Sequence, residues 1–290
     1  MKKIVLNIDD ELDGKKIKYI LRNHMGMSAS LVKQLKYSED GILLNGKTVF
    51  TNHNVSKGDE LVLTFRDTAS ENIEPKNIPL DILYEDEDII ALNKPRSMPT
   101  HPSQNHHDDT LANGVMYYFS GVDFTFRVIT RLDRDTSGVV LVAKNALAAQ
   151  RLGDDIKLKK IKKKYIAALS GVPISFSGRI DAPVKRVDGS AILRCVSPEG
   201  KAAVTDYEVV CEKNGISMVK LVPYTGRTHQ LRVHMSSMGT PIYGDDMYGA
   251  PQKNEKTRLH CAELEFTQPI SGKTITIEAA VPEDITDLFK

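Results

Sequence analysis

One carboxylate in this chain, Asp133, stands between two guanidinium groups in the run Arg131-Leu132-Asp133-Arg134-Asp135-Thr136-Ser137-Gly138. Neighbouring positive charge favours the charged form of a carboxylate, and a charged carboxylate serves as a nucleophile or a base. A second chemically equipped run is Gly226-Arg227-Thr228-His229-Gln230-Leu231-Arg232-Val233-His234. Leu231, His234, Met235 and Met238 share one helical face, which predicts a helix ended by Gly239 and Pro241. Arg227 is expected at its N-terminus, where free N–H groups and the helix dipole favour phosphate. Arg232 is expected on another face, able to reach a carboxylate or a phosphate. His229 and His234 lie five apart and do not align as metal ligands, so His234 reads as a partly buried polar residue. A third feature is basic: Arg151, Lys157, Lys159, Lys160, Lys162, Lys163 and Lys164 crowd one short segment of a chain whose net charge is only +1. Such a patch suits a phosphate backbone, although a solvated helix end with clustered lysines would look the same.

The elements that would hold these groups can be read from periodicity. The apolar run 139–143 reads as a buried strand, and 127–132 alternates as a second extended segment. Between them Asp135-Thr136-Ser137-Gly138 has turn chemistry, so Asp133 is expected where a strand meets a tight turn. Asp135 could simply order that turn, and an Arg-Asp-Arg cluster is often a surface ion-pair network of little energetic value. Tyr165 falls in a short predicted strand, 164–169, where a tyrosine is ordinarily a packing residue. Asn145 is placed to cap a helix through 146–149, and Asp108 or Asp109 to cap one beginning near Thr110. Residues 202–223 predict a β-hairpin turning at Asn214-Gly215. Residues 1–66 form a compact unit of two helical stretches, with Lys33 and Lys36 on the second, followed by strands turning at Asn45-Gly46. Residues 67–80, with Pro75 and Pro79 and little periodicity, read as a linker, and 81–290 as a larger domain.

Three of these stretches carry a family resemblance. Arg131-Leu132-Asp133 with Asp135-Thr136-Ser137-Gly138 resembles the active-site motif of the RluA-type pseudouridine synthases, with Thr130 where the motif usually has His. The run 226–234 with Gly244-Asp245 is similar to a later block of the same family. Asn93-Lys94-Pro95 and His101-Pro102 resemble its opening segment, with Ser97 in place of the usual Gly. The 1–66 unit resembles a small RNA-binding domain first seen in a ribosomal small-subunit protein. The resemblance implies an α+β fold with a largely antiparallel, mixed sheet. It also implies that the uracil of a uridine in RNA is cut from its ribose at nitrogen, turned, and rejoined through a ring carbon, without cofactor, metal or external energy source. By the same resemblance, Asp133 acts as nucleophile or base, Arg232 pairs with it, and Tyr165 stacks on the everted uracil and could relay a proton. Leu231 packs on the base and Arg131 fills the gap the base leaves, since chemistry on a base needs it out of the stack. Arg134, Arg227, Lys33, Lys36, Lys162, Lys163 and Lys164 are expected to contact RNA. Ribosomal RNA of the large subunit is the expected partner by analogy, with transfer RNA as the alternative and a monomer as the expected state.

Other classes of function are weighed against this. Asp133 and Asp135, two apart on a strand and about 6–7 Å from each other, approach the spacing of an inverting glycosidase pair, but the chain has no Trp for sugar stacking. A non-catalytic RNA-binding protein is the other rival, and the Asp133, Tyr165 and Arg232 set speaks against it. The sequence carries no P-loop, Rossmann glycine pattern or zinc ligand set. His106-His107-Asp108-Asp109 lacks a second cluster at ligand spacing, so no metal is expected. No apolar run approaches the roughly 18–20 residues of a membrane span. Cys195, Cys211 and Cys261 are odd in number and widely spaced, which predicts buried, reduced thiols in the cytoplasm.

Overall fold

The computed structural model describes residues 1–67, 70, 72–249 and 256–290. The chain opens with β1 (Lys2–Asn7), then α1 (Ile17–Tyr19), which runs on through a wider turn, Ile20–His24. That turn is closed by Met25 N–H donating to Ile20 O at 2.9 Å, five residues back. Next come α2 (Ala29–Tyr37), β2 (Ile42–Leu44), β3 (Lys47–Thr48) and β4 (Glu60–Phe65). The four strands form an antiparallel sheet in the order β1-β4-β2-β3. β1 was not expected from the pattern, because none of its six residues is fully buried. Leu12 lies before the first helix, in a turn where the Asp9 carboxylate accepts from Leu12 N–H at 3.1 Å. Ile17, Ile20, Leu21, Leu35, Leu61 and Leu63 build the core under this sheet, and Leu147 from the larger sheet's side joins it.

The rest of the chain supplies β5 (Ile82–Glu85), β6 (Ile89–Lys94), α3 (Leu111–Tyr118), β7 (Arg127–Val128), β8 (Ser137–Ala143), α4 (Ala146–Lys157) and β9 (Lys162–Ser170). Then follow β10 (Ser177–Asp181), β11 (Val184–Arg186), β12 (Arg194–Val196), β13 (Val204–Lys213), β14 (Ile216–Pro223), α5 (Gln230–Ser237), β15 (Leu259–Thr267), β16 (Thr274–Glu278) and α6 (Glu283–Thr286). The main sheet runs β10-β13-β14-β9-β15-β8-β6-β5, with β16 on β15 and β7 on β8. β15 pairs with β8 in parallel and with β9 and β16 antiparallel. The fold is therefore α+β with a large, mostly antiparallel sheet. No helix among the described residues is long and apolar enough to cross a membrane.

β8 is buried along its whole length, as a central strand covered on both faces must be. It begins two residues earlier than the apolar run suggests. Ser137 and Gly138 are strand residues, and the turn falls on Arg134 and Asp135, closed by Thr136 N–H donating to Asp133 O at 3.1 Å. Gly138 is needed for approach and not for turning. Its φ is +111°, and a Cβ there would sit 2.2 Å from the carbonyl oxygen of Cys261 on β15. The helix caps also differ in part. Asn145 caps α4, accepting from Ala148 N–H at 2.9 Å, whereas α3 is capped by Thr110 in a capping box with Asn113. Asp109 instead faces His106 Nδ1 at 2.6 Å.

Asp67 and residues 72–80 lie along the larger sheet. Asp67 takes a two-pronged bond from Arg127, both at 2.7 Å, and Ile73 is buried in the main core. Between the sheets, Gln150 on α4 accepts from Ser28 N–H at 2.6 Å and donates to Gly26 O at 2.9 Å. Of the cysteines only Cys261 is buried; Cys195 is partly covered and Cys211 exposed, against the expectation of three buried thiols.

Candidate active site

A cleft of about 820 Å³ opens beside the start of β8. Its wall combines the loop 99–106, the segment 129–136, Lys163 and Tyr165 on β9, and the 223–232 segment leading into α5. Asp133, Tyr165, Leu231, Arg232, Arg131, Arg134, Arg227 and Lys163 all line it. Sequence-distant residues meet there because β8 and β9 flank β15 in the sheet and Leu231 and Met235 of α5 join the same core.

The backbone on either side of Asp133 is held from both directions. Thr100 Oγ1 donates to Leu132 O at 2.9 Å. On the other side Lys94, 0% exposed, donates from Nζ to Arg134 O at 3.0 Å, Met98 O at 2.7 Å and Pro95 O at 2.8 Å. Burial pulls the Lys94 pKa down to about 7, while the nearby Asp135 and Asp133 carboxylates pull it up. Three carbonyl acceptors need three N–H donors, which only the ammonium form supplies, so the charged form holds this loop.

The guanidinium arrangement around Asp133 differs from the expected one. Arg134 turns to its neighbour Asp135, with Nε at 3.1 Å from Oδ1 and Nη2 at 3.1 Å from Oδ2. Arg131 is exposed at the rim, and burial, with Arg131 nearby, disfavours protonation of His101. Arg232 does not bond Asp133. It makes a two-pronged pair with Asp245, Nε to Oδ2 at 2.7 Å and Nη2 to Oδ1 at 2.6 Å, and both residues are buried. The same Asp245 Oδ1 accepts from Met247 N–H at 3.0 Å and Tyr248 N–H at 3.2 Å. Asp133 is close enough to favour the Arg232 charge, but among the described residues its one contact at ion-pair range is His229 Nε2, 4.0 Å from Oδ2. The reason lies in the fold: Asp245 follows the tight turn at Gly244 and is presented to the same side of α5 as Arg232, so a fully buried carboxylate takes the guanidinium first.

Tyr165 is 7% exposed, and burial, followed by the neighbouring Cys261 and Asp133, raises its pKa well above the ordinary tyrosine value. It remains a phenol at neutral pH. Its ring lines the cleft, and its hydroxyl engages the Cys261 thiol beside it. Leu231 is buried in the adjoining wall.

The predicted basic segment separates into parts. Lys162 pairs with Glu265 at 2.6 Å and Lys164 with Glu263 at 2.7 Å, both across β15. Lys157 and Lys160 pair with Asp154 and Asp155. Strand alternation puts Lys163 on the opposite face, lining the cleft, and burial lowers its pKa. Lys33 and Lys36 are exposed on α2 and are not among the cleft residues. Arg227 is at the cleft but not at the helix start, since α5 begins at Gln230. Its Nε donates to Ala202 O at 3.0 Å. No group of three or more His, Cys, Asp or Glu that could hold a metal occurs among the described residues.

Sequence reading missed four supports of the site: Thr100, His229, Asp245 and Tyr248. Asp245 had a signal, since it stands beside Gly244 in the block similar to the family. Thr100 and Tyr248 had none, because their roles come from hydrogen bonds to residues far away in sequence.

Comparison with known proteins points in one direction. Residues 88–237 match the family described as RNA pseudouridylate synthase. The chain is 37% identical over 270 residues to the uncharacterized RNA pseudouridine synthase YjbO of Bacillus subtilis (strain 168), covering 92% of this chain and 95% of that one. It is 33% identical over 267 residues to the ribosomal large subunit pseudouridine synthase D of Escherichia coli (strain K12), covering 86% of this chain and 82% of that one. Among solved structures, human RNA pseudouridylate synthase domain containing 1 is similar with a TM-score of 0.61 and 29% identity, covering 72% of this chain and 86% of that one.

Proposed function

Because this chain belongs to the RNA pseudouridylate synthase family, and is thus an enzyme converting uridine in RNA to pseudouridine, we propose that its substrate is large-subunit ribosomal RNA and that Asp133 is its reacting group. The observation that carries the assignment of residues is the convergence of Asp133, Tyr165, Leu231 and Arg232 on one cleft. The ribosomal substrate is supported by likeness to relatives named as large-subunit enzymes.

The reaction conserves the atoms of uridine. The bond from ribose to ring nitrogen breaks, a bond from ribose to ring carbon forms, that carbon gives up its proton, and the freed nitrogen takes one. Asp133 acts as nucleophile or base at the ribose or the ring. Tyr165 supplies an aromatic face and a phenolic donor to the everted uracil, and Leu231 an apolar one. Arg131, exposed at the rim, stacks where the base has left, as a guanidinium plane can. Unstacking costs a few kcal/mol, so a replacement partner matters. Arg134, Arg227 and Lys163 meet phosphates at the cleft. In the small unit 1–66, Lys33 and Lys36 on α2 add a second contact with RNA. Lys162 and Lys164, each already paired with a glutamate, contribute less than the other lysines.

The test is pseudouridine mapping in total RNA from cells with and without the protein, with Asp133→Asn as the inactive control. Loss of pseudouridine at a large-subunit site, with the variant still binding RNA, is expected. Loss only from transfer RNA would overturn the substrate, and an active Asp133→Asn would overturn the role of Asp133. Replacing Lys33 and Lys36 by Glu is expected to weaken RNA binding and flatten its salt dependence; unchanged binding would remove α2 from the interface.

A further inference from the structure

His229 occupies an unusual place. It precedes α5 with a left-handed backbone, φ +57° and ψ +18°, a conformation few side chains adopt and Asn tolerates best among those with a Cβ. That backbone directs its ring into the cleft, where the side chain is 10% exposed. Nδ1 lies 2.7 Å from the Tyr248 hydroxyl and Nε2 4.0 Å from Asp133 Oδ2.

The hydrogen-bond pattern fixes which nitrogen carries the proton. Tyr248 Oη accepts from Arg194 N–H at 3.0 Å, at the start of β12. Its own proton has one partner among the described residues, His229 Nδ1. Were Nδ1 protonated, that phenol proton would lose its acceptor, and Nε2 would turn a lone pair toward a carboxylate. With Tyr248 donating, Nε2 bears the hydrogen and faces Asp133 as a donor. Burial, with Arg232 and Arg194 nearby, disfavours the imidazolium, while Asp133 and Asp245 favour it, and the balance is a neutral ring.

We propose that His229 is a positioning residue for the reaction, holding Asp133 through Nε2–H, with its tautomer set by Tyr248. The inference rests on the reading of Asp133 as the reacting group. An N–H···O bond needs about 2.7–3.2 Å, so the present 4.0 Å must shorten by about 1 Å when a nucleotide fills the cleft, as catalytic hydrogen bonds often do on substrate binding. Engaging Oδ2 leaves Oδ1 as the oxygen that meets the substrate. Arg232, committed to Asp245, does not supply this bond.

Two substitutions separate positioning from mere structure. The amide nitrogen of Gln lies three bonds beyond Cβ, like Nε2; that of Asn lies two bonds beyond, like Nδ1. His229→Gln therefore keeps the donor toward Asp133 and His229→Asn loses it, whereas the left-handed backbone favours Asn. Rates of pseudouridine formation on a large-subunit RNA transcript, RNA affinity and thermal midpoints are measured together. The expected result is that His229→Asn loses about 100-fold in kcat, the scale of a 1 Å misplacement, with KM little changed, and that His229→Gln stays within about 10-fold of wild type although it is the less stable of the two. Tyr248→Phe is expected to lower kcat and leave RNA affinity intact. Activity in His229→Asn equal to or above that in His229→Gln, or losses confined to KM, would overturn the proposal. A wild-type protein that binds the transcript and makes no pseudouridine in any RNA would instead overturn the reading of the site on which it rests.

Discussion

Asp245→Asn tests whether the buried pair beneath the cleft, and not a direct bond to Asp133, is what fixes Arg232. Asp245 is 1% exposed and Arg232 3%. The carboxylate takes two guanidinium bonds and two backbone N–H bonds. In the Asn variant an amide NH2 faces the guanidinium with donors on both sides, and the buried Arg232 loses its paired carboxylate, keeping only the exposed Asp246 at 3.9 Å and the nearby Asp133. Removing one partner of a buried pair costs about 3–5 kcal/mol. At about 2–4 °C of Tm per kcal/mol for a chain of this size class, the midpoint falls by roughly 6–20 °C. Calorimetry measures this, and release of tritium from the reacting ring carbon of labelled uridine in RNA measures activity. The double variant Arg232→Met with Asp245→Leu replaces the pair by apolar side chains, which is often neutral or stabilising. Its expected phenotype is a recovered midpoint without recovered activity. A single variant with wild-type Tm, or a double variant that regains turnover, would refute the reasoning.

Two further outcomes follow from the fold. Gly138→Ala would press a Cβ onto the Cys261 carbonyl at a backbone conformation L-residues avoid, so a loss on the order of 3–5 kcal/mol is expected by urea unfolding; a wild-type midpoint would contradict the close approach of β8 and β15. Burial lowers the pKa values of His229, His234 and His260, so below the unfolded value of about 6.5 the unfolded chain binds protons that the folded one does not. Stability is then full above that pH and falls as pH drops through the folded values, by up to about 1.4 kcal/mol per pH unit for each histidine. His260→Gln should flatten the slope between pH 5 and 7, and an unchanged slope would count against this account.

Much of this arrangement is legible from sequence where one strand or helix carries its own signal. The apolar run behind Asp133, the Asn214-Gly215 hairpin and the Asn145 cap are local, and the structure has all three. The sequence errors fall where a long-range contact decides. Gly138 looks like a turn glycine until β15 arrives against it. Lys162 and Lys164 look like unpaired cations until β15 brings Glu265 and Glu263 opposite them. Arg232 looks free to reach Asp133 until Asp245, presented by a separate turn, takes it. β1 is hidden because Lys2-Lys3-Ile4-Val5-Leu6-Asn7 carries no apolar alternation, with Val5 exposed between half-buried Ile4 and Leu6. Asp133, Tyr165, Leu231 and Arg232 could be collected into one site before the structure only through the family resemblance, since nothing in their spacing says that they meet.

The parallel pairing of β8 with β15 has a kinetic consequence. The strand that lies between β8, which follows the Asp133 loop, and β9, which bears Tyr165, is made of residues 259–267, more than a hundred positions after the aspartate. Long-range strand pairing must close a large loop before any contact rewards it. A chain emerging from the ribosome therefore carries Asp133 and Tyr165 well before it can seat them in one cleft, which is completed only after β15 has been translated.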